Sequence, residues 1–279
     1  MRLNENIAIS ASRVLLVPYD AHHVPRYHQW MEDAAIREAT ASERLTLEEE
    51  YENQVSWREA SDKLTFIICE PLPLSEDGAL GNDNGSNSEL DAPGVVAGVA
   101  DHPDRMVGDI NLFLMPWEDP DEEETNGEMV GGDEEKQKTY CAAEVDIMIA
   151  DQKHRGKGFG RAAVATFLLF IHRNLDGILA EYANTNADTS ASTSTNGSSR
   201  PELRELVAKI NVDNVGSIAL FKSLGFKQRG DVNYFGEIQM VLEGFGSTDN
   251  ATALQACWAG AVMGERYREL VYDREKLEK

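Results

Sequence analysis

The chain has 279 residues, 42% of them hydrophobic and 27% charged, and 49 acidic against 26 basic residues give a formal charge of −23. That balance excludes a fibrous or wholly disordered chain and argues against binding nucleic acid or anionic membranes through the bulk surface. No run is read as the roughly 18 apolar residues of a membrane span, the start Met1–Asn6 lacks a basic-then-apolar signal pattern, and Cys69, Cys141 and Cys257 show no paired spacing. The expectation is a monomeric cytoplasmic protein, a nuclear one being equally compatible, with no disulfide framework and no recognisable zinc site.

In chain order, Arg13–Tyr19 reads as a short strand, and His23–Ala39 and Leu47–Ala60 as helices, the second opened by a capping box of Thr46 with Glu49. Leu64–Glu70 and Met106–Met115 are strands. Ala143–Ala150 alternates, placing Glu144, Asp146 and Met148 on one face and Val145, Ile147 and Ile149 on the other. Gly158–Leu175 is an apolar helix, Glu205–Ile210 a strand, and Asn214–Leu224 a helix stopped by Gly225. Phe226–Gly230 and Asn233–Glu243 close the pattern as strands. In the tail, Trp258, Met263, Tyr267, Leu270 and Val271 recur at roughly helical spacing, so 244–279 is read as a helical extension.

Three stretches interrupt this pattern. Residues 71–105 are rich in Gly, Asn, Ser, Pro and Asp and carry seven acids and one base; 116–139 hold ten acids and two bases; 184–200 form a Ser/Thr/Asn tract. All three are expected to be surface loops with little to bury. The first two hold −14 of the −23, and without all three the chain keeps about 200 residues, a size suited to one ordinary domain; that domain is read as 1–243, of mixed α/β (α+β) class and not an alternating doubly wound sheet.

The most specific stretch is Arg155-Gly156-Lys157-Gly158-Phe159-Gly160, placed after the Ala143–Ala150 strand and opening a helix. Glycines there permit a tight turn that aims free N–H groups at one point, where a helix N-terminus favours an anion such as pyrophosphate; Arg155, Lys157 and Arg161 add positive charge. The alternative is that the glycines serve close packing alone. A dinucleotide fingerprint has different spacing and needs a ribose-binding acid that is missing here, and a P-loop would need a following Lys-Ser/Thr pair.

RxxGxG after a strand, followed by Asn214-x-x-Ser217 and Phe221-Lys-Ser-Leu-Gly225-Phe226, resembles the acetyl-CoA core of the GNAT acetyltransferases. The N-terminal text Met1–Met31, with TASERLTLEEEY, DKLTFIICE and VGDINLFL, resembles the N-acetyltransferase 9 subfamily, and the similarity runs to about Leu242. The resemblance implies a GNAT fold whose mixed sheet splays at the coenzyme site, with acetyl-CoA as cosubstrate and no metal. It implies that backbone amides of Gly156–Arg161 (Gly156, Lys157, Gly158, Phe159, Gly160 and Arg161) hold the pyrophosphate. The pantetheine arm would pair with backbone near Ile147, Met148 and Ile149, and Asn214 and Ser217 would open the next helix beside the coenzyme or act as a plain cap. The implied acceptor is a peptide or protein amine, tubulin being the subfamily's suggested partner.

Acetyl transfer needs a neutral amine, and Glu144 and Asp146 are the candidate bases, Glu144 preferred. Their alternative is solvent-facing charge. Where many GNAT enzymes have a tyrosine acid this chain has Phe221, with Tyr234 a weak substitute; Phe221 therefore keeps open a non-catalytic coenzyme- or microtubule-binding module, and a small-molecule amine acetyltransferase is the third reading. His22, His23 and His28 are expected to cap or to line the acceptor groove in preference to binding metal.

Overall fold

The computed structural model describes residues 1–73, 94–117, 139–188, 200–245 and 267–275, together with Trp258, Gly260 and Leu277. The strands are β1 (Ile7–Ser10), β2 (Leu15–Pro18), β3 (Lys63–Cys69), β4 (Val95–Val96), β5 (Met106–Pro116), β6 (Tyr140–Ile149), β7 (Glu202–Asn211), β8 (Lys227–Arg229), β9 (Glu237–Glu243) and β10 (Arg268–Asp273). The helices are α1 (Val24–Met31), α2 (Ala34–Ala39), α3 (Leu47–Glu59), α4 (Phe159–Asp188) and α5 (Val215–Ser223). The strands form one mixed sheet in the order β4-β10-β1-β2-β3-β5-β6-β7-β9-β8, in which β6–β7 and β4–β10 are parallel and the other pairs antiparallel.

Period-two alternation divides the sheet's side chains between two cores. Leu64, Phe66 and Ile68 of β3 and Val145 of β6 pack with α4 and α5, whose Phe167 and Phe170 meet Phe66 edge-on. Ile67 and Cys69 of β3 and Met148 of β6 pack on the opposite face, under Val24, Tyr27, Trp30 and Met31 of α1. The expected alternation of β6 is therefore present: Ile147 and Ile149 lean on the α4 side, Met148 on the α1 side.

Several expectations need correction. The single helix His23–Ala39 is two, because Asp33 leaves the helical conformation and caps α2 by accepting the Ala35 amide at 2.9 Å. The capping box on α3 forms as expected. The apolar helix runs past Leu175 to Asp188, Gly177 allowing Leu3 to lie against it where a Cβ would stand 2.7 Å from Leu3 Cδ1, so the third stretch begins as helix; its residues 189–199 lie outside the described residues. By length and composition Phe159–Asn184 also passes for a membrane span, contrary to the sequence reading, yet most of it is buried as the central core helix of this domain.

The stretch 71–105 is structured at its C-terminal end. Val95 is buried, β4 pairs with β10, and Asp101 is fully buried; residues 74–93 and 118–138 lie outside the described residues. In the tail, Trp258 and Gly260 are helical as expected, while Arg268–Asp273 is a strand where helix was expected. Leu270 and Tyr272, two apart, are buried while Val271 between them is 63% exposed, and β10 pairs antiparallel with β1, itself unanticipated. Met263 lies outside the described residues.

Candidate functional site

At the join of β6 and β7 the pairing stops. Parallel register runs from Tyr140↔Glu202 to Glu144↔Val207 and goes no further, while β6 stays paired with β5 up to Ile149 and β7 stays paired with β9 up to Asn211. The two strands thus part beyond Glu144. Ala150 donates its amide to Val107 O at 3.0 Å, on the β5 side. Because backbone direction alternates along a strand, Met148 also faces β5, whereas the N–H groups of Ile147 and Ile149 and the Ile147 carbonyl face the opening. Of the three residues expected to pair with pantetheine, Ile147 and Ile149 are placed to do so; Met148 is not, since its backbone serves β5 and its side chain the α1-side core.

The loop after β6 turns through Gly156 (φ 71°) and Gly158 (φ 86°), left-handed conformations that favour glycine. Gly160 differs: a Cβ on it would stand 3.1 Å from Leu220 Cδ1 and 3.8 Å from Ile149 Cγ1, so it brings α4 close to α5 and β6. The two explanations weighed from sequence therefore divide among the glycines. Arg155 spends its guanidinium on the end of β6, Nε donating to Ile149 O at 2.9 Å and Nη2 to Ala150 O at 3.3 Å, so it fixes the loop to the strand. Lys157 is exposed, and Phe159 meets the buried His154 ring edge-on. Arg161 donates to Ser223 Oγ at 3.2 Å. Asn214 caps α5 by accepting the Ser217 amide at 3.1 Å, the plain capping role.

On the α1 side of the opening, the two candidate bases have unlike surroundings. Glu144 Oε2 lies 2.7 Å from Lys209 Nζ of β7, and that bond raises the lysine's pKa. Asp146 lies two residues further along, where the strands have parted. It keeps exposed surface, but protein around the carboxyl desolvates it, and with Glu144 nearby its pKa rises to about 6. Diagonally across on β5, opposite Met148, stands Asp109, which the sequence reading did not single out: it is buried, and desolvation first, then neighbouring Asp146, pushes it up to about 7. Its signal in the sequence was a lone acid in the apolar run MVGDINLFLM.

Phe221 is 2% exposed and packs edge-on against Phe226, 5.0 Å between centroids. Tyr234 is 97% exposed on the β8–β9 connection, its ring edge-on to Phe235. His22 and His23 both place Nε2 at the Asp101 carboxylate, at 3.0 and 2.9 Å. His23 Nδ1 accepts the Asp20 amide at 3.0 Å, so its proton is on Nε2, which therefore acts as a donor to Asp101 in this arrangement and not as a metal ligand atom. His28 lies 3.8 Å from Glu32 on the same helix.

The acetyltransferase (GNAT) domain family matches residues 13–227. The chain belongs to the GNAT acetyltransferase family. The alpha/beta-tubulin-N-acetyltransferase 9 of Drosophila melanogaster is 38% identical over 242 residues, covering 86% of this chain and 88% of the relative. The N-acetyltransferase 9-like protein of Caenorhabditis elegans is 33% identical over 243 residues (87% and 89% covered), and the Homo sapiens alpha/beta-tubulin-N-acetyltransferase 9 is 32% identical over 243 residues (87% and 86%). Among solved structures, a GNAT-family acetyltransferase from Bacillus anthracis superposes with a TM-score of 0.47 at 11% identity, covering 85% of this chain and 98% of that one. The parted β6 and β7 are the splay that the family resemblance implied, and this GNAT protein is an acetyl-CoA-dependent N-acetyltransferase.

Proposed function

We propose that this GNAT enzyme acetylates a peptide or protein amine, tubulin being the first candidate acceptor because the Drosophila, mouse and human relatives are named for it. The observation that carries the reading is the opening between β6 and β7, with carboxyl groups at its α1-side mouth and free backbone groups along its edge. Those relatives favour this over a small-molecule acetyltransferase or a non-catalytic module. We further infer a cytoplasmic protein, which the buried free thiols of Cys69 and Cys141 fit, and take it to act as a monomer.

In this reading the Gly156–Arg161 turn and the α4 N-terminus hold the pyrophosphate, and Ile147 and Ile149 pair with the pantetheine amides. Acetyl-CoA supplies the activated thioester. Asp146, in place of the Glu144 preferred from sequence, takes the proton of the acceptor ammonium. Glu144 is tied up by Lys209, whereas a carboxyl with a pKa near 6 is still about nine-tenths ionised at pH 7 and a far better proton acceptor than an ordinary aspartate. Phe221 cannot donate a proton, so the thiol leaves as thiolate, tolerable at a pKa of about 8.5, or is protonated by water.

The test is acetyl transfer from acetyl-CoA to peptides with free or blocked α-amines, read by mass spectrometry, for wild type, Asp146→Asn and Glu144→Gln. Asp146→Asn is expected to lower kcat about 10²- to 10⁴-fold and Glu144→Gln less than tenfold, with coenzyme affinity nearly unchanged in both. The reverse ranking returns the role to Glu144; wild-type turnover in both refutes direct carboxylate catalysis.

A further inference from the structure

Asp109, Asn111 and Asp146 share one face of the sheet. Asn111 stands directly opposite Asp146 in the β5–β6 register, and Asp109 lies two residues along β5 from Asn111. Asp109 is 3% exposed and Asn111 5%. With Asp109 ionised, its Oδ2 accepts from Asn111 Nδ2 at 2.8 Å, which sets the amide's orientation, since the flipped amide would place its oxygen against the carboxylate. Asn111 Oδ1 then has no hydrogen-bond partner among the described residues. Thr65 lies opposite Asn111 on the β3 side, but its Oγ1 is also without a partner, so the hydroxyl does not serve that oxygen.

A buried amide oxygen left without a donor is costly, and the arrangement makes sense once protonation of Asp146 is considered. An ionised Asp146 has no hydrogen to offer; a protonated one has. We propose that Asp109 and Asn111 are positioning residues for proton removal from the acceptor amine: Asp109 holds the Asn111 amide so that its Oδ1 receives the hydrogen of the Asp146 carboxyl. This rests on Asp146 being the base. The acceptor R–NH₃⁺ passes one proton to the Asp146 carboxylate, giving R–NH₂ and a neutral acid whose O–H donates to Asn111. The amine nitrogen then bonds to the thioester carbon, the C–S bond breaks with its electron pair leaving on sulfur, and the second amine proton goes to thiolate or water. Asp146 returns its own proton to solvent after transfer.

The charged and titratable groups around the relay are Tyr19, Tyr27 and Glu50 near Asp109, and Glu144, Lys209 and Glu237 near Asp146. Asn111 is the polar side chain that the register places between the two carboxyls, opposite Asp146 and two residues from Asp109. The relay raises the proton affinity of Asp146 without touching substrate, so its loss should move a titration and leave binding intact.

The experiment is a ¹³C-carboxyl NMR titration of Asp146 in the coenzyme-free protein, with the pH dependence of kcat, for wild type, Asp109→Asn, Asn111→Leu and Asn111→Ala. Asp146 is expected to titrate about one unit lower in each variant, with the acid limb of kcat moving equally and KM for acetyl-CoA unchanged. Asp109→Asn keeps shape while removing a buried carboxyl, so it should fold at least as stably as wild type, and Asn111→Ala stands in if Asn111→Leu does not fold. Unmoved titration in the folded variants would overturn the proposal. So would a shift in Asp109→Asn alone, which would signal simple charge repulsion without the amide bridge. Failure of the base assignment reads differently, as wild-type kcat in Asp146→Asn.

Discussion

Asp101→Asn should destabilise the fold severely. The Asp101 carboxylate is fully buried and gathers four donors: His22 and His23 Nε2, the Tyr272 hydroxyl on the same oxygen, and the Gly98 amide at 2.6 Å on the other. Burial alone would oppose its ionisation, but hydrogen bonds from His22 and His23 hold it well below the usual carboxylate range. The cluster ties the end of the 71–105 stretch to the approach to α1 and to β10. An asparagine presents one acceptor oxygen and one donor nitrogen, so on one side a buried donor meets another donor. At roughly 1 to 3 kcal/mol for each buried donor left unpaired, with His23 and Tyr272 nearly inaccessible, the loss is about 3 to 5 kcal/mol. Such a loss is a large share of the roughly 5 to 15 kcal/mol that stabilises a domain. Urea unfolding followed by tryptophan fluorescence at pH 7 measures it, and a loss below about 1 kcal/mol would refute the reasoning.

The same cluster fixes an acid dependence. His23 has its pKa lowered, desolvation being the largest cause, so its stabilising contribution is present above the unfolded histidine value of about 6.5 and is lost as pH falls below it. The depressed Asp101 adds a second loss below about pH 4. The raised Asp109 and Asp146 carboxyls add stability as pH falls through the same range, so the His23 contribution is read by difference: in a urea series from pH 8 to 4 the wild-type midpoint should fall relative to that of His23→Gln below pH 6.5. Gly108→Ala would place a Cβ 1.8 Å from Met148 O, backbone against backbone, and should cost about 3 kcal/mol or more in the same assay, because strand β6 must shift to make room. Lys209→Met removes the cation that lowers the Asp146 pKa; the acid limb of kcat should move up by a few tenths of a unit, a small shift because Lys209 is partly solvated.

The parts of the architecture legible from sequence were those whose local pattern and tertiary use agree. β6 alternates because its two faces meet different cores, and the RxxGxG turn announces itself because Gly156 and Gly158 need left-handed backbone. Strands β1, β4 and β10 were missed because four, two and six residues carry too few periods to separate a strand from a helix or loop. Tyr267, Leu270 and Val271 fit helical spacing, yet within β10 it is Leu270 and Tyr272, two apart, that are buried, with Val271 turned outward. Within the site, the sequence favoured Glu144; the contact that points instead to Asp146 in the proposed role is with Lys209, 65 residues from Glu144 in sequence. Asp109 was passed over for a similar reason: its burial and its amide partner exist only once β5 is paired on both sides.

The central claim is that coenzyme occupies the edge of β6 where β7 has parted from it. Backbone amide exchange on ¹⁵N-labelled protein, with and without coenzyme A, tests this directly. The Ile147 and Ile149 amides should gain protection of tenfold or more on coenzyme addition while Met148, already bonded to β5, changes little. Saturable coenzyme binding with Ile147 and Ile149 exchanging as fast as in the free protein would contradict it.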